Sequence, residues 1–196
     1  MKWLLTITTL MVLAGCSASA QASVLANDAK VVAKPVTTKA ESGNYNPLKQ
    51  IVRERTLMEK AQARKVFIER QHIKLNNAVK KVISRVGKTP YVFSGSSIYG
   101  WDCSGLVRWT YEQVGIELEH SATKQGNNYG HRVKTPKYGD IVVFGWNSKT
   151  EFYHSAIYIG NNKIVHANRG YGGTHIEPLS NYKSSTQIFI RVIPDK

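Results

Sequence analysis

Three side chains of this sequence have the types needed for catalysis by a thiol nucleophile. Cys103 lies in the tetrapeptide DCSG at residues 102–105, and it is the last cysteine of the chain. Two candidate bases follow, His154 in the segment HSAIYIG and His166 in the segment IVHA. A thiolate is the reactive form of cysteine, an imidazole can generate it, and a third polar group can orient that imidazole. The alternative is a small buried core residue, which describes most free cysteines.

A zinc site competes for the same three residues. One cysteine and two histidines can ligate a metal, but no Cys-x-x-Cys or His-Glu-x-x-His pattern accompanies them. We therefore predict neither a metal nor a cofactor.

The element predicted after Cys103 favours its reactivity. Residues 104–114 carry apolar side chains at helical spacing and stop at Gly115, which is typical of a helix that begins beside Cys103. Unpaired backbone N–H groups and the helix dipole lower a thiol's pKa there and can bind an acyl oxyanion. Asp102 either caps this helix or contacts a cationic substrate group. Gly105 permits close approach of substrate or neighbouring backbone.

The two histidines are predicted on neighbouring strands joined by the turn GNNK at residues 160–163. A short turn brings together residues at similar distances from it. His154 lies six residues before Gly160 and His166 three residues after Lys163, so a contact between them is compatible with this hairpin but depends on the register of the strands. In that geometry His154 can act as the base while His166 fixes its tautomer.

The remaining chain predicts an α+β domain, with helices first and an antiparallel sheet second. Residues 48–88 contain neither Pro nor Gly before Gly87 and favour two helices with a bend near residues 71–77. Strand-like runs follow at 140–144, 155–159, 163–167, 175–177 and 187–193.

The first residues have the features of an export signal: a charged start, an apolar run at 3–13 and small residues after it. The ending LAGC resembles the bacterial lipoprotein cleavage box, which implies cleavage before Cys16 and acylation of that residue. Ser17 resembles the outer-membrane sorting pattern, which implies an anchor on the periplasmic face of that membrane. The alternative is an ordinary signal peptide cut near residues 18–20. If Cys16 carries lipid, Cys103 remains a free thiol.

These patterns divide the chain into a lipoprotein signal (1–15), a flexible tether (16–47), a basic helical extension (48–74) and a catalytic domain (75–196). The net charge is +14, and residues 49–88 hold twelve basic and three acidic side chains. Such a run is either a solvated helix face or a patch for an anionic wall or membrane. An exported protein rarely meets nucleic acid, so we expect none as a partner.

Five blocks together resemble the NlpC/P60 family of papain-like cysteine peptidases, which cleave cell-wall peptides. They occur in the family's order and spacing within residues 75–193. The blocks are PYVFSG (90–95), DCSGLV (102–107), GDIVVF (139–144), HSAIYIG (154–160) and IVHA (164–167).

This resemblance implies a papain-like α+β fold in which N-terminal helices pack on a central antiparallel sheet. It implies that Cys103 is the nucleophile, His154 the base and His166 the orienting third residue. Tyr91 matches the family tyrosine whose hydroxyl lies near the nucleophile and assists the oxyanion. The alternative for Tyr91 is a packed aromatic side chain.

Further positions match the family less closely. Asp102 and Ser104 match residues that line the pocket for the substrate's amino terminus, and Ser121 and Gln125 resemble the loop after the catalytic helix. Ser94 replaces the first of two glycines of the usual motif, and Ser155-Ala156 replaces the commoner Val-Gly.

The resemblance predicts a monomeric, lipid-anchored endopeptidase that hydrolyses peptidoglycan stems or cross-links through an acyl-enzyme. One alternative is an acyltransferase or amidase acting on a substrate other than the wall, since the same three residues attack any positioned acyl carbon. Another is a wall-binding lipoprotein whose site is silent.

Overall fold

The computed structural model describes residues 46–183 and 185–195. The predicted signal 1–15, the predicted acylation site Cys16 and nearly all of the predicted tether 16–47 lie outside them. Within the described ranges, no helix combines the length and hydrophobicity needed to cross a membrane.

The described residues form three helices, eight strands and one 3₁₀ turn. The helices are α1 (Pro47–Ile83), α2 (Cys103–Glu112) and α3 (Ala122–Asn127). The first four strands are β1 (Ser96–Ser97), β2 (Gly100–Trp101), β3 (His131–Val133) and β4 (Ile141–Gly145). The others are β5 (His154–Gly160), β6 (Lys163–Asn168), β7 (Gly173–Pro178) and β8 (Thr186–Arg191), with the 3₁₀ turn at Leu179–Tyr182.

Helix α1 is one continuous element, so the predicted division into two helices near residues 71–77 is wrong. No Gly or Pro interrupts it, and Leu75, Val79 and Val82 are buried in the core. This burial stabilises the helix across a segment where two asparagines weaken its intrinsic propensity. The helix ends shortly before Gly87, whose φ of +68° favours glycine.

The first part of α1 is exposed to solvent, whereas its last part packs against the core of the domain. Residues 46–67 are all exposed, and the first buried side chain of the helix is Leu75. The predicted division at residue 74 therefore falls inside one continuous helix, near the point where its burial begins.

Six of the strands form one antiparallel sheet in the order β3-β8-β4-β5-β6-β7. All five predicted strands lie in it, and the α+β prediction is confirmed. The sequence did not predict β3, the small hairpin of β1 and β2, or α3. These elements have two to six residues, too few for a periodic pattern.

The centre of the sheet is buried on both faces. One face packs under α1 and α2 in a core that includes Val79, Leu106, Val143 and Ile157. A smaller cluster on the other side contains Val142, Phe144, Ala156, Ile164 and Leu179. Because strand residues alternate between the two faces, neighbouring positions on β4 and β5 enter different cores.

The predicted turn between β5 and β6 is present. Asn161 and Asn162 have φ values of 50° and 56°, as a two-residue type I′ turn requires. The turn joins the two histidine-bearing strands, and a register shift between Tyr158 and Gly160 then sets the pairing in which Ile157 lies opposite Val165.

Candidate active site

Cys103 is the first residue of α2, and Asp102 caps that helix. The Asp102 carboxylate accepts a hydrogen bond from the Gly105 backbone N–H at 2.7 Å and from the Ser104 hydroxyl at 3.1 Å. These bonds satisfy an otherwise unpaired N–H of the first turn and fix the backbone at Cys103. The Ser104 hydroxyl, which was predicted to line the substrate pocket, is hydrogen-bonded to Asp102, the residue that caps its helix.

The same carboxylate ties two further segments to the nucleophile. The Ser94 backbone N–H donates to Asp102 Oδ2 at 3.0 Å, and His120 Nε2 lies 2.7 Å from Asp102 Oδ1. Ser94 has a φ of 57°, which is the left-handed conformation that favours glycine. This conformation gives a physical reason for the glycine of the usual motif.

Position 105 requires glycine because neighbouring backbone leaves no room for a Cβ atom. A Cβ at this position would lie 1.9 Å from the carbonyl oxygen of Gly95. The first turn of α2 therefore packs directly against the loop that contains Ser94.

Burial raises the pKa of the Cys103 thiol, and the Asp102 charge acts in the same direction. Backbone N–H groups of Ser155, Ser104 and Cys103 itself oppose this rise. The sequence led us to expect a net lowering at the helix start, and that expectation is wrong because desolvation outweighs the N–H groups. The resting side chain is a thiol, and it forms no disulfide.

The histidines meet across β5 and β6. Ile157 pairs with Val165, so continuing the register places Ala156 opposite His166 and makes His154 its diagonal neighbour on the same face. His154 Nε2 lies 2.7 Å from His166 Nδ1, and the rings are nearly perpendicular at 76°.

Both histidines are held neutral at neutral pH. Burial, followed by the neighbouring His166, lowers the pKa of His154 to about 3. Burial and then His175 lower the pKa of His166 to about 4. A neutral imidazole can accept the proton of a neutral thiol, so this arrangement supports general-base activation rather than a preformed ion pair.

The histidine pair continues into a carboxylate. His166 Nε2 lies 3.1 Å from Glu177 Oε1, and the Asn181 amide donates to Glu177 Oε2 at 3.2 Å. The Tyr182 ring stacks on His154 at a centroid separation of 5.9 Å and an angle of 8°. Strand β7 and the 3₁₀ turn after it thus form the back of the histidine site.

The Tyr91 hydroxyl lies close enough to Cys103 for their charges to interact. Burial raises the pKa of the Tyr91 hydroxyl first, and the Cys103 and Asp102 charges raise it further. Cys103 also lies against the backbone N–H of Ser155, the residue directly after His154. Within the described residues, however, no hydrogen bond joins the Cys103 thiol to His154. Such contacts are often long in a substrate-free site.

Several residues of the site were not predicted from the sequence. His120, Glu177, Asn181 and Tyr182 follow no local motif, because they reach the site through the tertiary fold. Gln125, predicted only as part of a loop, is fully buried on α3 and donates to the Ser104 carbonyl at 2.8 Å. Ser121 is the N-cap of that helix.

In the part of the chain that the structure describes, no group of three or more His, Cys, Asp or Glu side chains is arranged to hold a metal ion. The polar contacts of His154 and His166 in this part of the chain are to each other and to Glu177 and Tyr182, and His154 also lies against the rings of Phe144 and Tyr153.

Comparison with known proteins places this geometry in a family. The NlpC/P60 family model matches residues 87–192. Gamma-DL-glutamyl hydrolase of Bacillus subtilis is 42% identical over 84 residues, which are 41% of this chain and 20% of that protein. Peptidoglycan endopeptidase RipA of Mycolicibacterium smegmatis is 32% identical over 93 residues, which are 46% of this chain and 18% of that protein. The chain thus spans about a fifth of the length of these relatives.

A solved structure shows the same fold. The P60 domain of an antigen from M. avium subspecies paratuberculosis superposes with a TM-score of 0.55 at 23% identity. The superposition covers 64% of this chain and 98% of that domain. The family match spans more than half of the chain and includes Cys103, His154 and His166, and the chain therefore belongs to the NlpC/P60 family.

Proposed function

We propose that this chain is a cysteine endopeptidase that hydrolyses peptide bonds in the stems or cross-links of peptidoglycan. The observation that carries the proposal is the arrangement of the thiol and the histidines. A partly buried free thiol starts a helix and lies against the strand that carries His154, which contacts a second histidine at 2.7 Å. The name of one curated relative, peptidoglycan endopeptidase RipA, supports a peptidoglycan substrate, and the name of the other, gamma-DL-glutamyl hydrolase, supports hydrolysis of a glutamyl bond.

The first half of the reaction forms an acyl-enzyme. His154 takes the thiol proton, and the Cys103 sulfur attacks the carbonyl carbon of the scissile amide. In this proposal the N–H groups of Cys103 and Ser104 and the Tyr91 hydroxyl stabilise the developing oxyanion, and the interaction of each with Cys103 supports that role. Protonated His154 then gives its proton to the leaving amine, and the C–N bond breaks to leave a thioester.

The second half restores the enzyme. His154, again neutral, takes a proton from water, and the resulting hydroxide attacks the thioester carbon. The C–S bond breaks, His154 returns the proton to the sulfur, and a carboxylic acid is released. His166 keeps the imidazole oriented through both halves by its contact at 2.7 Å.

Digestion of purified peptidoglycan tests the proposal. The full chain in detergent is compared with Cys103→Ala, and the released fragments are identified by mass spectrometry. We expect new fragments from the unaltered chain alone, and their masses identify the bond that is cut. Absence of fragments from both proteins, each folded and in reducing buffer, contradicts the proposal and favours a non-wall acyl substrate or a binding role.

We also propose that the chain is anchored by lipid at Cys16, on the periplasmic face of the outer membrane. The support is the LAGC sequence ending at that residue and the serine that follows it. Intact-mass analysis and membrane fractionation of the chain and of Cys16→Ala test this. Acyl mass and membrane association that persist in the variant would contradict it.

A further inference from the structure

Glu177 is a buried carboxylate whose oxygens both have partners near the histidine pair. It lies on β7 opposite Ile164, and only 6% of its surface is exposed. Glutamate is rarely buried unless it is paired. One oxygen of Glu177 lies 3.1 Å from His166 Nε2, and the Asn181 amide donates to the other at 3.2 Å.

The Glu177 carboxylate determines which nitrogen donates in each hydrogen bond from Glu177 through His166 to His154. An ionised carboxylate can only accept, so the proton of a neutral His166 must lie on Nε2. Its Nδ1 is then an acceptor, and His154 Nε2, at 2.7 Å, must donate to it. The lone pair of His154 is therefore left on Nδ1, the nitrogen that faces away from His166.

Glu177 also bears on the charge that forms during the reaction. When His154 takes a proton from the thiol, an imidazolium appears in a desolvated site beside a second histidine. A buried charge is expensive without a partner. Glu177 is two hydrogen bonds away through His166, and its negative charge favours the protonated form of His154.

We propose that Glu177 is a positioning residue that fixes the tautomers of His166 and His154, so that His154 Nδ1 is the base. The inference rests on the proposed peptidase activity for its kinetic consequence, but not for its structural one. A purely structural role would require only that Glu177 hold β7 and the following turn in place.

The Glu177→Gln variant separates these roles, because it keeps the size of the side chain and removes its charge. Its amide can meet the Asn181 donor with oxygen and present NH₂ to His166 Nε2. That arrangement reverses the hydrogen bond between residue 177 and His166 and the one between His166 and His154. The proton of His154 then lies on Nδ1. We expect a fall in kcat for peptidoglycan hydrolysis on the order of 10²-fold, smaller than the roughly 10⁴-fold loss when the carboxylate bonded directly to a catalytic histidine is neutralised, because Glu177 acts on His154 through His166.

Nitrogen-15 NMR of the histidine rings in the full chain reads the tautomers without any substrate. Signals are assigned by replacing His154 and His166 one at a time. In the unaltered chain we expect both rings to carry their proton on Nε2. Glu177→Gln should populate Nδ1–H forms, and Glu177→Asp should recover the original tautomers in part. The matched control Glu112→Gln, at the far end of α2, should leave the tautomers of both rings unchanged.

Two results would overturn the inference. One is a His154 ring protonated on Nδ1 in the unaltered chain, which decides the question even if the variant does not fold. The other is a folded Glu177→Gln protein with unchanged tautomers and unchanged kcat. If the unaltered chain releases no wall fragments, the proposed function fails while the ring shifts still test Glu177.

Discussion

The loop and helix around Cys103 are held mainly by backbone groups that meet the Asp102 carboxylate and each other, whereas the histidines on β5 and β6 are held by contacts between side chains. On the nucleophile side, Asp102 accepts the N–H groups of Ser94 and Gly105, and the glycine allows two backbone segments to touch. On the histidine side, imidazole, imidazole and carboxylate follow one another over 2.7 Å and 3.1 Å.

This difference separates the conditions to which each side is sensitive. Backbone contacts do not titrate, but they tolerate no added atoms at a close approach. A chain of imidazoles tolerates some repacking, but each ring can bind a proton and change from acceptor to donor. Added volume should therefore disrupt the nucleophile side, and acid should disrupt the histidine side.

The largest effect is expected for Gly105→Ala. The new Cβ would lie 1.9 Å from the Gly95 carbonyl oxygen, and backbone cannot yield as a flexible side chain can. We expect a loss of roughly 4 kcal/mol in the free energy of unfolding, together with loss of wall hydrolysis. Urea unfolding measures the first and fragment release the second.

Gly87→Ala is the matched control for this substitution. Gly87 has a φ of +68°, and no atom lies within 4 Å of the position of its Cβ. It should therefore show only conformational strain, about 1 kcal/mol. A loss for Gly105→Ala that is no larger than this control would refute the close-packing argument.

The sequence predicted the two sides to different depths. Cys103, His154 and His166 lie in local motifs, and the turn at Asn161–Asn162 indicated that β5 and β6 pair. The contact between the two histidines did not follow from the turn alone, because an irregularity between Tyr158 and Gly160 shifts the register by one residue. Glu177 and His120 could not be found in the same way, because a sheet register and a loop path bring them to the site. The pKa of Cys103 was mispredicted for a similar reason: burial is a property of the whole fold.

Acidification should weaken the histidine side. Unfolded histidines bind protons below about pH 6.5, whereas burial lowers the pKa to about 3 for His154 and about 4 for His166 in the folded chain. The unfolded state therefore binds more protons in this range, and the free energy of unfolding falls as pH falls. Each histidine contributes up to about 1.4 kcal/mol per pH unit, so the pair should lose roughly 2 kcal/mol between pH 6 and pH 5.

Urea unfolding at several pH values measures this loss. Replacement of His166 by Gln should flatten the dependence on pH, even if the variant is less stable throughout. His131→Gln, at an exposed position on β3, is the control and should leave the slope as it was. A slope that survives loss of both His154 and His166 would show that other groups cause the acid sensitivity.

The smallest effect is expected where the two sides meet, at Ser155. Its N–H lies against the Cys103 thiol, but its fully buried hydroxyl has no hydrogen-bond partner in the described part of the chain. Since an unpaired buried hydroxyl is unfavourable, Ser155→Ala should raise the free energy of unfolding by about 1 kcal/mol. Ser104→Ala, which removes a hydroxyl bonded to the Asp102 carboxylate, should lower it by about as much. Thermal unfolding of both variants measures the two changes in the free energy of unfolding. Equal losses of stability in the two variants would show that the Ser155 hydroxyl is hydrogen-bonded in solution.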